Sequence, residues 1–293
     1  MKRDYPRLNL LEFGDHLLDT QDLDPVYVAF TKHAPPNIAQ WLISYWCFYH
    51  VGVACWMSEQ PPEHFWQWME TAAINTGKCP IPGRWPRSSE RRHFRGKQAM
   101  DSLYSLQRCH LGDPEEILKF FSACPAGTKM VPFCEVQRRV QGIRGFGPWI
   151  TFKIADMLER CLGIPVQFDP AEVMMYSEPR KGAVLAYRID QGLLEDAEVD
   201  ENEAVSYILS DMTQYYAAED ERKAPPRFER LVNIQEFETI LCKWKSHMNG
   251  HYPLGKDTIE IKEGLEPWLK VSQYAKKFQE SLPLAPPKTT SGT

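Results

Sequence analysis

No two of the eight cysteines stand in a CxxC spacing, and none falls into a zinc-finger arrangement with the histidines. Metal clusters and a disulfide framework are thereby disfavoured, and buried free thiols in a reducing compartment are expected. No signal peptide and no 18-residue apolar run is present, so neither export nor a membrane span is expected. No internal repeat is visible. Lysine and arginine are missing from residues 190–221, which hold eleven Asp or Glu. That segment accounts for more than the whole net charge of −5, and the remainder carries +6. The global sign therefore does not exclude a polyanionic partner, because binding responds to local charge.

What is present suits a packed helical protein. Hydrophobic residues make up 43% of the chain and aromatics 12%, enough for a sizeable core. Of nine tryptophans, Trp41, Trp46, Trp56, Trp66 and Trp68 lie close together at helical spacings. Most read as core, with base stacking left open for one of them. A short arm over 1–24 precedes one long helix, about 37–58, apolar nearly all round and so central to the domain. Gln40, Ser44 and His50 argue against its spanning a membrane. Pro61-Pro62 starts a helix that runs to about Gly77, and 78–87 is a Pro/Gly loop.

The next segment carries Arg91, Arg92, His93, Arg95 and Lys97 in the first turns of a helix capped by Ser88 or Ser89. Cations oppose the dipole at a helix start, so either a solvated basic face or an anion site explains them. Asp113 caps a helix to about 123. Residues 178–200 read as loop with a short strand at 183–189, and 201–220 as an acidic helix. The helix 235–248 buries Phe237, Ile240, Leu241 and Trp244, leaving Glu238, Lys243, Lys245 and His247 over. A final helix covers 264–281. About ten helices and almost no strand make the fold all-α, one domain over 1–282 with a disordered tail at 283–293.

The chain is organised around residues 136–172, with the helical hairpin over 132–162. Pro132 suits a first helical position, and Val136, Val140 and Ile143 share a face. Gly142, Gly145 and Gly147 then break the pattern, and Pro148 opens a helix that buries Ile150, Ile154, Met157 and Leu158. Asp169-Pro170-Ala171-Glu172 reads as a helix start with Asp169 as N-cap.

Ile143-Arg144-Gly145-Phe146-Gly147-Pro148-Trp149 resembles the helix-hairpin-helix of the DNA glycosylase superfamily. That family places a catalytic aspartate about twenty residues on, and Asp169 follows Gly147 by 22. The resemblance implies a hairpin whose backbone N–H groups hold a DNA phosphate, with Asp169 facing an extruded base. Arg144, Gly145, Gly147, Trp149, Thr151 and Lys153 are the DNA-binding candidates. Bifunctional members carry a Schiff-base lysine where this chain has Trp149, so a base-excision lyase is not expected. The four-cysteine iron–sulfur run of some glycosylases is absent.

Residues 84–100 (RWPRSSERRHFRGKQAM) and 233–257 (NIQEFETILCKWKSHMNGHYPLGKD) resemble the phage amino acid:DNA transferases of thymine hypermodification. That resemblance implies an amine displacing pyrophosphate from the 5-methylene carbon of pyrophosphorylated 5-hydroxymethyluracil in double-stranded DNA. Asp169 would act as base, with Glu238 and His247 as second-rank acid–base groups. Arg91, Arg92, His93, Arg95, Lys97, Lys243 and Lys245 would bind pyrophosphate or substrate. It further implies a free amino acid as second substrate, no cofactor, no metal, a monomer, and the cytoplasm of an infected bacterium. A monofunctional glycosylase and a non-catalytic DNA-binding module are the alternatives.

Overall fold

The computed structural model describes residues 5–75, 94, 97–169, 176–194, 196–218 and 222–284. Among them the chain is mostly helical, and the only strands are β1 (Val131–Pro132) and β2 (Val166–Gln167), a two-residue parallel pair. The expected all-α character holds. No described helix is long and apolar enough to cross a membrane. The chain groups into two compact units, each discontinuous in sequence.

One unit comprises Val26–Gln167 and Glu260–Leu282. Its centre is α3 (Ile38–Phe48) and α4 (Val51–Ser58), where the sequence suggests a single helix. The chain turns at Tyr49, which adopts the left-handed conformation (φ 49°, ψ 47°). His50 then restarts the helix by accepting the Val53 N–H on its side chain at 3.4 Å. An all-apolar sequence hides such a break, because periodicity carries no phase when every face is buried. Trp41, Trp46 and Phe48 are fully buried here. Each such side chain contributes roughly 1.5–3 kcal/mol. Around them lie α5 (Phe65–Ile74), α6 (Lys97–Gln107), α7 (Pro114–Ser122), α8 (Phe133–Gln141) and α9 (Pro148–Arg160). Pro132 proves to be the N-cap of α8 rather than its first helical residue.

The other unit holds the described residues up to Pro25 together with Phe168–Ile259. The expected arm contains α1 (Leu10–Asp19), started by a capping box between Asn9 and Glu12. The loop and strand expected over 178–200 are instead largely a helix, α10 (Ser177–Asp190). Pro179 lies in the first turn, where no N–H is required. Gly182 is an interface residue: a β-carbon there would come within 2.4 Å of the Leu241 carbonyl oxygen. It lets α10 seat closely on α12 (Ile234–Met248), with α11 (Glu201–Ala218) beside them.

The last helical stretch is likewise divided, into α13 (Lys256–Leu265) and α14 (Gln273–Ser281). A 3₁₀ turn at Glu266–Trp268 contains Pro267, and Ser272 caps the helix that follows.

Candidate functional site

The hairpin between α8 and α9 is built as its sequence suggests, with one difference in its glycines. Gly145 alone has positive φ (84°), which only glycine adopts without cost. Gly142 is right-handed helical at φ −65°, and Gly147 is extended at φ −86°, ψ −176°. Among the described residues, a β-carbon on Gly147 would meet nothing within 4 Å. None of them requires glycine at that position.

The turn is anchored at both levels. Ile143 and Phe146 are buried, and Phe146 meets the Phe94 ring edge-on at 5.7 Å. The Arg144 N–H donates to the Ser105 hydroxyl at 3.0 Å, and the exposed Arg144 guanidinium lies 3.5 Å from Asp101. The sequence reading missed both α6 residues. Lying four apart on one helix, they share a face, and that spacing was the only signal.

With the turn fixed, the N–H groups of Gly147, Trp149 and Ile150 make no hydrogen bond among the described residues, while the Thr151 N–H closes the first turn onto the Gly147 carbonyl. Three donors at the start of a 13-residue helix, beside a residue without a side chain, have the chemistry to hold an anion. Trp149 is half-buried and meets Tyr49 at 4.9 Å. Thr151 is fully buried, with its hydroxyl donating to the Gly147 carbonyl at 3.0 Å. Lys153 is 7% exposed with its ammonium 5.0 Å from the Phe152 ring. Neither presents its side chain to a duplex; of the other expected DNA contacts, Arg144 and Gly147 are exposed and Gly145 and Trp149 half-buried.

Asp169 follows β2 by two residues and is exposed. The helix it was expected to cap falls on 170–175, outside the described residues, as do Arg91, Arg92, His93 and Arg95. Lys97 opens α6, and its side chain is also outside the described part.

The candidates on α12 separate clearly. Glu238 is 4% exposed and accepts a hydrogen bond from the Thr239 hydroxyl at 3.1 Å. His247 is fully buried; its Nε2 accepts the Leu8 N–H at 3.2 Å and its Nδ1 faces the Tyr252 carbonyl at 2.8 Å. That pairing fixes the neutral tautomer with the proton on Nδ1, and burial holds its pKa below the ordinary value. No lone pair or proton is left for a substrate, which removes His247 from the acid–base candidates.

Lys243 is likewise committed: its ammonium donates to the carbonyls of Asp22 (2.9 Å) and Leu23 and pairs with Asp257 at 2.7 Å. Burial opposes its charge, but Asp257, Asp24 and Asp22 outweigh that and raise its pKa. All three donors are used internally, so Lys243 is not a pyrophosphate ligand here. Lys245 is paired with Glu178.

Comparison with known proteins adds a family. The model of the amino acid:DNA transferase family matches residues 16–251. A glycinyltransferase of Pseudomonas phage PaMx11 is 43% identical over 297 residues, covering 97% of this chain and 99% of that protein. A putrescinyltransferase of Delftia phage PhiW-14 is 26% identical over 262 residues, covering 87% of this chain and 77% of that one.

Proposed function

The chain belongs to the amino acid:DNA transferase family, and from that premise we propose that it joins the amine of glycine to the 5-methylene carbon of pyrophosphorylated 5-hydroxymethyluracil in phage DNA. Family membership makes it a transferase whose substrates are DNA and an amino acid. Glycine is the proposed donor because the 43% identical relative is a glycinyltransferase.

The observation that carries the reading is the start of α9, where unused N–H groups and a glycine with open space at its missing β-carbon, among the described residues, suit a DNA phosphate. On this reading the hairpin works as in helix-hairpin-helix glycosylases, and the base to be modified is turned out of the duplex. The amine lone pair attacks the methylene carbon as the carbon–oxygen bond to pyrophosphate breaks. The amine's extra proton passes to Asp169, which lies exposed just after β2. Pyrophosphate leaves as an anion, held by Arg91, Arg92 and Arg95. Glu238 is the reserve acid–base group. The reaction takes place in the cytoplasm of the infected host.

Mass spectrometry of nucleosides tests this, after incubation of the protein with pyrophosphorylated DNA and glycine. Wild type should yield an intact glycinylated nucleoside. Asp169→Asn should lower the rate by roughly 10²- to 10⁴-fold, the range for one general base. Free base released from the DNA would sink the transfer chemistry in favour of a glycosylase. A wild-type rate in folded Asp169→Asn would sink the role of Asp169.

A further inference from the structure

We propose that Tyr49 and Trp149 form a stacking platform for a base of the bound DNA, directly beside the phosphate seat. The proposal rests on the reading of α9's first turn as a DNA contact, and it assigns a second contact that the hairpin alone does not supply.

A line of rings runs through the Trp-rich unit. Phe30 and Phe278 meet Trp41 at 4.9 and 5.8 Å, Trp41 stacks on Tyr45 at 4.9 Å, and Tyr45 meets Tyr49 at 4.7 Å. Tyr49 meets Trp149 at 4.9 Å with the rings 64° apart. The line begins in the core, where Trp41 is fully buried, and ends in two half-buried rings. The last ring belongs to the residue whose own N–H is one of the free donors at the start of α9. A rigid, core-backed aromatic surface is what sequence-tolerant base contact uses.

The backbone points the same way. Tyr49 occupies the left-handed region, uncommon for an aromatic residue, at the one break in an otherwise continuous apolar stretch. Asparagine or glycine suits that conformation better. Conformations of this kind concentrate at functional positions.

Asparagine at position 49 separates the two roles a tyrosine could have. Tyr49→Asn removes the ring but fits the left-handed backbone, so the melting temperature should hold or rise while DNA affinity falls. Trp149→Leu should fall in affinity as well, and Tyr49→Phe should keep wild-type binding. Stacking on one base predicts a loss of roughly 5- to 100-fold for removal of the platform.

A duplex carrying a single abasic site, moved one position at a time, identifies the base. Wild type should show one position where the missing base changes affinity, and Trp149→Leu should lose that position dependence. Gly147→Ala serves as the control for the phosphate seat: it should bind more weakly overall and keep the position dependence. If Gly147→Ala weakens binding while folded Tyr49→Asn and Trp149→Leu bind as wild type, the platform is wrong and the seat stands. If none of the three changes affinity, the seat and the platform both fall. A drop in stability of Tyr49→Asn with unchanged affinity would make the ring a packing element only.

Discussion

Gly147→Ala isolates the contact between α9 and its ligand from the stability of the fold. A β-carbon at that position meets no atom within 4 Å, and φ −86°, ψ −176° is open to any L-residue. Two small terms act on the free protein. Alanine narrows the unfolded ensemble, a gain of about 0.4–1 kcal/mol. Alanine is also a poorer N-cap than glycine, a loss of about 0.5–1 kcal/mol. They oppose each other, so the urea midpoint should move little. A phosphate seated on the N–H groups of Gly147, Trp149 and Ile150 would be pushed back by the methyl. Losing one charge-assisted hydrogen bond costs about 1.5–3 kcal/mol, a factor of roughly 10 to 150 in Kd. Fluorescence anisotropy with a labelled duplex measures it, repeated over a range of salt. The salt slope should stay near wild type, because neutral N–H donors release no counterion of their own. Unchanged affinity in the folded variant would mean that this turn does not contact DNA.

Other substitutions test the remaining parts. Burial pushes the His50 imidazole from its ordinary 6.5 down to about 4. A depressed folded-state value means that the unfolded chain takes up the proton first, so stability is intact above 6.5 and falls as pH drops toward 4. At about 1.4 kcal/mol per unit, the loss between 6.5 and roughly pH 5 is about 2 kcal/mol. His50→Asn keeps a capping side chain without the titration, so urea unfolding should show that part of the acid decline gone; an equal decline would contradict a buried neutral cap. Gly182→Ala should destabilise by about 1–3 kcal/mol despite alanine's helix preference, because the Leu241 backbone stands in the way. Gly142→Ala, whose nearest contact is an ordinary 3.7 Å, should stabilise by about 0.4–1 kcal/mol; thermal unfolding of the pair checks the opposite signs. Glutamine at Arg91, Arg92 and Arg95 should slow turnover with DNA affinity intact if they hold pyrophosphate, and flatten the salt dependence if they hold the duplex; no change in either returns them to a solvated face.

The sequence by itself determined the helical character, the hairpin and the residue that opens α9. Glycine and proline act through their own backbone chemistry, so Gly145 and Pro148 are legible without any neighbour. Capping is equally local, which is why Asp113 was placed correctly. Tertiary structure alone decided what depended on partners distant in sequence. The helix at Gly182 was missed because the Leu241 carbonyl that needs its small size lies far along the chain. His247 and Lys243 looked like reactive groups because Leu8, Tyr252, Asp22 and Asp257, which consume their hydrogen-bonding capacity, are not their sequence neighbours. The break at Tyr49 was hidden for the opposite reason: with apolar residues on every face, no pattern remained to be interrupted. A side chain's type fixes what chemistry it can offer. Whether that chemistry is free for a substrate or spent on the fold is settled by who else reaches it.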